Sequence, residues 1–212
     1  MNHTHAHADA CTGVEYMKDR DFFNMMAHDW DAHNTSSTPE KILTILERAG
    51  VRAGMDVLDI GTGTGVLLPW LADAVGASGS VTAVDVAENM LAEARRKFAS
   101  LSPAPQFLLA DVEKVALSGR FDRIMLYCVF PHIHHPGPTL CRLVAENLKP
   151  GGKIVIAHPS GRAFINDVHH RRPIRSEGLP AAVELRSRLA TEGLQAEIIE
   201  DSDDLYLVLI SA

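Results

Sequence analysis

Three glycines alternate in the stretch DIGTGTG, residues 59–65, directly after an apolar run. Gly61, Gly63 and Gly65 leave backbone bare where a ligand must come within contact distance of main chain, since any Cβ there would hold it off. Two acidic residues frame the turn. Asp59 stands two residues before Gly61, and Asp85 closes the next apolar run, 24 positions after Gly61. That separation suits a carboxylate that accepts hydrogen bonds from both hydroxyls of a ribose. No Lys or Arg directly follows Asp85 to receive a 2′-phosphate, so an unmodified nucleoside is expected. NAD and S-adenosylmethionine (SAM) both qualify. A dinucleotide fingerprint reads G-x-G-x-x-G/A. Here the sixth position is Val66 and the third glycine falls at position five, which weighs against NAD.

A second group of residues could act on what the nucleoside meets. His132 in YCVFPHIHHPG and His158 in IAHPSGR each follow an apolar run. A histidine so placed serves as a general base or orients an acceptor, and it equally well caps a loop. Both roles stay open for His132 and His158, whereas His134 and His135 read as exposed. No metal is expected. The alternative is that His132, His158 and His169 converge as imidazole ligands, but no H-x-x-x-H helix or cysteine pair supports it. The stretch GRAFINDVHHRRPIRSEGLP (161–180) gathers four arginines in a chain of net charge −7. Guanidinium forks match carboxylate or phosphate, so His169, Arg171 and Arg172 are candidates to hold an anionic acceptor. The competing reading is a solvated loop.

Short apolar runs must position these residues: MDVLDI (55–60), SVTAVDV (80–86), PQFLLADV (105–112), FDRIMLYCVF (121–130) and GKIVIAH (152–158). Helix-like segments alternate with them. Strands buried on both faces, with helices between, imply a doubly wound, mostly parallel α/β sheet. After a helix in PAAVELRSRLATEGL, the end of the chain reads as two strands joined at Ser202–Asp203, a C-terminal antiparallel hairpin that would add an antiparallel strand at the sheet edge. Upstream, Phe22, Phe23, Met26 and Trp30 share one helical face. A second helix is capped by Thr38, opened by Pro39 and stopped by Gly50. Residues 1–13 are polar and His-rich and read as a disordered tail, leaving 14–212 as one domain. The net charge argues against nucleic acid. No run reaches the ~20 apolar residues of a membrane span, and three scattered cysteines make a reducing cytoplasm the default. Oligomeric state has no signature.

Four segments in order resemble the class I SAM-dependent methyltransferases: VLDIGTGTG, VTAVDVAENMLAEARRKF, LLADV (108–112) and ENLKPGGKIVI (146–156). Together they span about residues 38–158. The look is similar to the branch of ubiquinone/menaquinone-biosynthesis methyltransferases and related small-molecule enzymes, whose aromatic opening helix FFNMMAHDWD also resembles. The resemblance implies a seven-stranded Rossmann-like sheet and an enzyme that methylates a small molecule and releases S-adenosylhomocysteine (SAH). It implies that Asp85 holds the ribose, Asp111 and Val112 the adenine edge, and Val86 and Met90 the adenine faces. Asp59, Gly61, Thr62, Gly63 and Gly65 would surround the methionine part. Trp30, in the helices of 14–50, would help close the site, and residues 159–180 would form a lid on the acceptor side. A SAM-binding module without turnover is the alternative outside enzymes, and an NAD-dependent oxidoreductase the alternative within them.

Overall fold

The apolar runs become a single twisted sheet, seen in a computed structural model that describes residues 7–8, 15–33 and 36–211. Five parallel strands come first: β1 (Asp56–Ile60), β2 (Ser80–Asp85), β3 (Gln106–Leu109), β4 (Phe121–Tyr127) and β5 (Leu148–His158). The hairpin follows as β6 (Gln195–Asp201) and β7 (Tyr206–Ser211). Their order in the seven-stranded sheet is β3-β2-β1-β4-β5-β7-β6. The order reverses between β1 and β4, which places a crevice beyond the carboxyl ends of those two strands.

One detail of the hairpin differs from expectation. The antiparallel strand is β7, and it lies inside the sheet between β5 and β6. Composition explains the swap. Tyr206–Ile210 are all buried, whereas β6 carries Glu197, Glu200 and Asp201 and is only partly covered. A charged, partly exposed strand tolerates an edge and a wholly apolar one does not.

Alternate residues of each strand point to opposite faces, and each face has its own core. Leu58, Ile124, Ile156 and Val208 pack with Leu140, Leu143, Leu185 and Leu189 on one side. Those partners come from α6 (Pro136–Arg142), the π-turn after it (Leu143–Asn147) and α8 (Ala182–Thr191). Val57, Met125, Val155 and Leu207 pack on the other side with Ile42, Ile45, Leu68 and Ala94. These belong to α3 (Pro39–Arg48), α4 (Leu68–Val75) and α5 (Glu88–Phe98). As expected, the Thr38 hydroxyl caps α3, accepting from the Lys41 N–H, and Gly50 closes it at φ +67°.

Upstream, the aromatic segment forms two helices rather than one, α1 (Asp19–Met26) and α2 (Trp30–His33). Residues 161–180 contain a further helix, α7 (Arg162–His170). These two outlying parts meet: the Met17 N–H donates to the Pro173 carbonyl at 2.8 Å. The expected tail lies outside the described residues, apart from His7–Ala8, which pair with Glu15–Tyr16. Among the described residues no helix is long and apolar enough to cross a membrane.

Expected runs end early where the chain turns into the crevice. The third stops at Leu109 and the fourth at Tyr127, followed by Cys128 at φ +57°. After α6 the chain widens into the π-turn, which brings Asn147 fully inside. Its Nδ2 donates to the carbonyls of Leu117 and Gly119, both at 3.0 Å, and fixes the approach to β4. Replacing Asn147 by Ala leaves two carbonyls without that donor, one of them buried. The expected loss is about 1–3 kcal/mol of stability, measured by urea unfolding, with SAH binding retained by the folded fraction.

Candidate functional site

A cavity of about 1390 Å³ opens beyond the carboxyl ends of β1, β2, β4 and β5. Its first wall is the glycine turn. The N–H groups of Gly61 and Thr62 donate to the Val84 carbonyl at 2.8 and 3.0 Å, pinning the turn to β2. Gly61 sits at φ +69°, and a Cβ on it would lie 2.4 Å from Val129 Cγ2. Gly65 sits at φ +89° away from the cavity, where a Cβ would press on Phe98 and Leu68, so its bareness serves helix packing. Gly63, at φ +56°, lines the cavity and has no atom within 4 Å of where a Cβ would stand.

Asp85 joins the turn to the end of β2. Its Oδ2 accepts the Gly63 N–H and its Oδ1 the Ala87 N–H, both at 2.8 Å. Burial raises its pKa, while those N–H groups and the nearby His132 oppose the rise. Asp59, two per cent exposed, is pushed up to about 7, chiefly by burial; the Thr62 hydroxyl opposes and the Asp85 charge adds. The cavity is thus lined by one carboxylate with fixed orientation and another that a cation would readily ionise.

Val86, Met90, Asp111 and Val112 form the adjoining wall. Asp111 also caps its own turn: Oδ1 accepts the Glu113 N–H at 3.0 Å and Oδ2 pairs with Lys114 at 2.6 Å. Met90 packs with Ala27 and Ala87, with Phe23 and Trp30 against them, the last two rings edge-to-face at 5.3 Å. Polar ties hold this roof down. The Thr64 hydroxyl and Lys97 both bind Asp31, and Asn89 donates from its backbone N–H and its Nδ2 to the Oδ1 and carbonyl of Asn24.

The far end of the cavity is built from imidazoles. His132, on a short 3₁₀ turn after β4, places Nε2 3.1 Å from His169 Nε2. Its Nδ1 lies 3.4 Å from Asp19 Oδ2, and the Phe23 ring meets it edge-on at 5.0 Å. His169 directs Nδ1 to the Ile165 carbonyl at 2.7 Å. His158, at the end of β5, is one per cent exposed and neither ring nitrogen has a partner. Burial, reinforced by His169 and His132, pushes its pKa down to about 3, so it is neutral. Burial likewise lowers His169 to about 4, opposed by the Ile165 carbonyl. Asp19 is also buried, which by itself would raise it, yet His132 and His134 hold it down at about 2.

The arginines separate. Arg172 lines the cavity with its guanidinium 5.1 Å from the Trp30 ring, and Arg175 lines it too. Arg171 is 76% exposed and pairs with Asp167 one turn back, outside the cavity. His134 is half exposed and faces Asp19, and His135 is exposed and bonds Glu113. Among the described residues no three His, Cys, Asp or Glu side chains are arranged to hold a metal ion. Two lining residues had no sequence signal. Asp19 is one of several acids in its helix, and Cys128 shows its left-handed backbone only in three dimensions.

The glycine turn, the oriented Asp85 and the open space at Gly63 fit SAM, whose ribose diol matches a carboxylate and whose cationic part matches Asp59. Comparison with known proteins agrees. Residues 57–152 match the family model described as a methyltransferase domain. The ubiquinone/menaquinone biosynthesis C-methyltransferase of Pseudomonas fluorescens is 34% identical over 52% of this chain and 44% of its own length. Methyltransferase GfsG of Streptomyces halstedii is 36% identical over 58% of this chain and 45% of its own. The match therefore spans less than half the length of either curated relative. Among solved structures, a DhpI–SAH complex has a TM-score of 0.71 at 20% identity, covering 91% of this chain and 94% of that one. A SAM-dependent methyltransferase from Aquifex aeolicus has a TM-score of 0.66 at 22% identity, covering 91% and 97%. Residues 57–152 are thus similar to a methyltransferase domain, and the fold is the one these SAM-dependent methyltransferase structures share.

Gly63→Ala tests the cradle. Its methyl group meets no protein atom, and the left-handed backbone costs about 1–2 kcal/mol. SAH affinity is expected to fall about tenfold or more, roughly 1.4 kcal/mol, by calorimetric titration, with only a few degrees lost in Tm. Gly61→Ala, which collides with Val129, is expected to lower the folded yield itself.

Proposed function

We propose that this protein is a cytoplasmic enzyme that transfers a methyl group from SAM to a small anionic molecule, releasing SAH. The observation that carries the reading is the division of one cavity into two chemically distinct ends. Carboxylates and bare backbone line the nucleoside end, and imidazoles with Arg172 line the other.

When bound, SAM supplies an electrophilic methyl on a sulfonium. The chain's own residues bind, align and exclude water. Asp85 receives the ribose hydroxyls on the oxygens that Gly63 and Ala87 already orient. Asp111 and Val112 take the adenine edge, Val86 and Met90 its faces, and Asp59, Gly61 and Thr62 the methionine end. Trp30 and Phe23 cover the nucleoside. At the acceptor end, alignment dominates the rate of a displacement of this kind. Arg172 holds an anionic group of the acceptor by charge-assisted hydrogen bonds, with His132 and His169 shaping the wall beside it. His158 brings a neutral imidazole with two unpartnered nitrogens, able to give or take a hydrogen bond with an acceptor group. Residues 159–180 close over this end through α7. Arg171 has no place in this scheme, being paired with Asp167 on the surface.

A SAH-release screen over a metabolite extract tests the proposal, and turnover absent with every fraction would leave a SAM-binding module. Thermal shifts with SAM, SAH and NADH separate nucleoside classes, and stabilisation by NADH alone would refute the reading. Asp85→Ala is expected to lose SAM binding and turnover together. Arg172→Ala is expected to raise acceptor KM about tenfold, on the scale of one charge-assisted hydrogen bond, while SAM affinity stays within twofold. Arg171→Ala is expected to change neither.

A further inference from the structure

Between β3 and β4 the chain has neither helix nor strand over residues 112–119, yet it carries part of the cavity wall. Backbone carbonyls in such a segment need partners from outside it. Two side chains supply four of them. Arg142, the last residue of α6, donates through its guanidinium to the carbonyls of Val112 and Val115, the second at 3.0 Å. Asn147, in the π-turn that follows, takes those of Leu117 and Gly119. Glu113 ties the same turn to the other end of α6. Its Oε2 accepts the His134 N–H at 3.2 Å and its Oε1 the His135 N–H at 2.6 Å, just where that helix begins. Residues 111–115 are therefore clamped to α6 at both of its ends.

What the clamp holds still is an edge with a definite polarity. Within the turn, Asp111 takes the N–H groups of Glu113, Lys114 and Val115. The Val112 N–H is not used in those bonds, and Asp111 and Val112 both line the cavity. Carboxylate and N–H together present one acceptor beside one donor. Adenine offers the complement, an amino group next to a bare ring nitrogen. Hypoxanthine offers the reverse, a carbonyl next to a ring N–H. A site built this way rejects the reversed edge because its own polar groups would be left unpaired, provided the turn cannot rearrange to suit.

We propose that Arg142 and Glu113 set base selectivity at the nucleoside end, by locking the 111–115 turn to α6 so that it reads adenine and refuses hypoxanthine. This rests on the reading of Asp111 and Val112 as the adenine contacts of bound SAM, and names what makes them selective. Arg142 does not line the cavity and acts only through the turn, so it is a positioning residue. The Lys114 contact on Asp111 is largely exposed and adds little. Ribose and methionine contacts come from the glycine turn and Asp85, which the clamp does not touch. Loosening it should therefore cost the base and spare the rest of the nucleoside.

SAH and S-inosylhomocysteine, which differ only at that edge of the base, are titrated calorimetrically into the full chain. Wild type is expected to bind SAH about tenfold tighter, on the scale of one charge-assisted hydrogen bond. Arg142→Ala is expected to weaken SAH about fivefold to tenfold and to leave the analogue within about twofold, so that the preference nearly disappears. Asn147→Ala frees carbonyls on the same segment without releasing the turn, and is expected to lose stability but keep the preference. Glu113→Ala, which opens the other end of the clamp, is expected to repeat the Arg142→Ala result and replaces it if that variant does not fold. An unchanged preference in the clamp variants, or an equal loss for both ligands, overturns the proposal. So does loss of the preference in Asn147→Ala. SAH binding wild type no tighter than the analogue also overturns it, while leaving the methyltransferase reading intact. Failure of wild type to bind SAH at all would strike that reading instead.

Discussion

The Asp85 carboxylate ties the glycine turn, the end of β2 and the start of α5 into one piece. One oxygen is held by Gly63 and the other by Ala87. Buried charge is tolerated only where hydrogen bonds replace its hydration, so these two N–H groups cannot wander without exposing the cost of burying that group. The turn in turn requires left-handed backbone at Gly61 and Gly63. Position and orientation of this end of the cavity therefore follow from a single buried acid and the residues that satisfy it.

The roof depends on a different kind of contact. α1 and α2 contribute few buried apolar groups, chiefly Phe22 and Ala27. They dock through polar pairs instead: Asn24 with Asn89, Asp31 with Thr64 and Lys97, and Met17 with Pro173. Each such pair contributes little on its own. An element attached this way opens at far lower free energy than the sheet beneath it, which suits a site whose ligands must enter and leave. Asp19 belongs to the same roof, because α1 also brings a carboxylate to the imidazoles.

Several polar groups left without partners lie at and behind the imidazole end of the cavity. His158 and Tyr206, neighbours at 6.3 Å between ring centroids, both keep buried polar atoms unpaired. Cys128, in a backbone conformation uncommon for a side chain of its kind, lines the same space. Strain and unsatisfied polarity gather where a ligand can relieve them. The opposite end of the sheet is the reverse, with Lys149 bridging Asp56 and Asp122 at 2.7 Å each.

Sheet class, strand positions, the glycine turn and the acids at 59, 85 and 111 were legible in the sequence because each rests on local pattern. Strand burial follows apolar runs, a turn with positive φ follows glycine, and a carboxylate at a strand's end lands where that strand ends. Placing Arg172 inside and Arg171 outside was not legible, since neighbouring residues at a helix end point in different directions and only the docked helix says which direction is inward. The insertion of β7 ahead of β6 was equally hidden, although their charge difference accounts for it afterwards. The meeting of Asp19, His132 and His169 draws on three segments remote in sequence. Their spacing to about 3 Å depends on how sheet twist and helix packing bring those segments together. By itself the sequence determined where the bare turn and its flanking acids stand, because those are written in backbone and strand ends. Tertiary structure alone decided which charges line the far end of the cavity, because those contacts exist only once distant segments have packed.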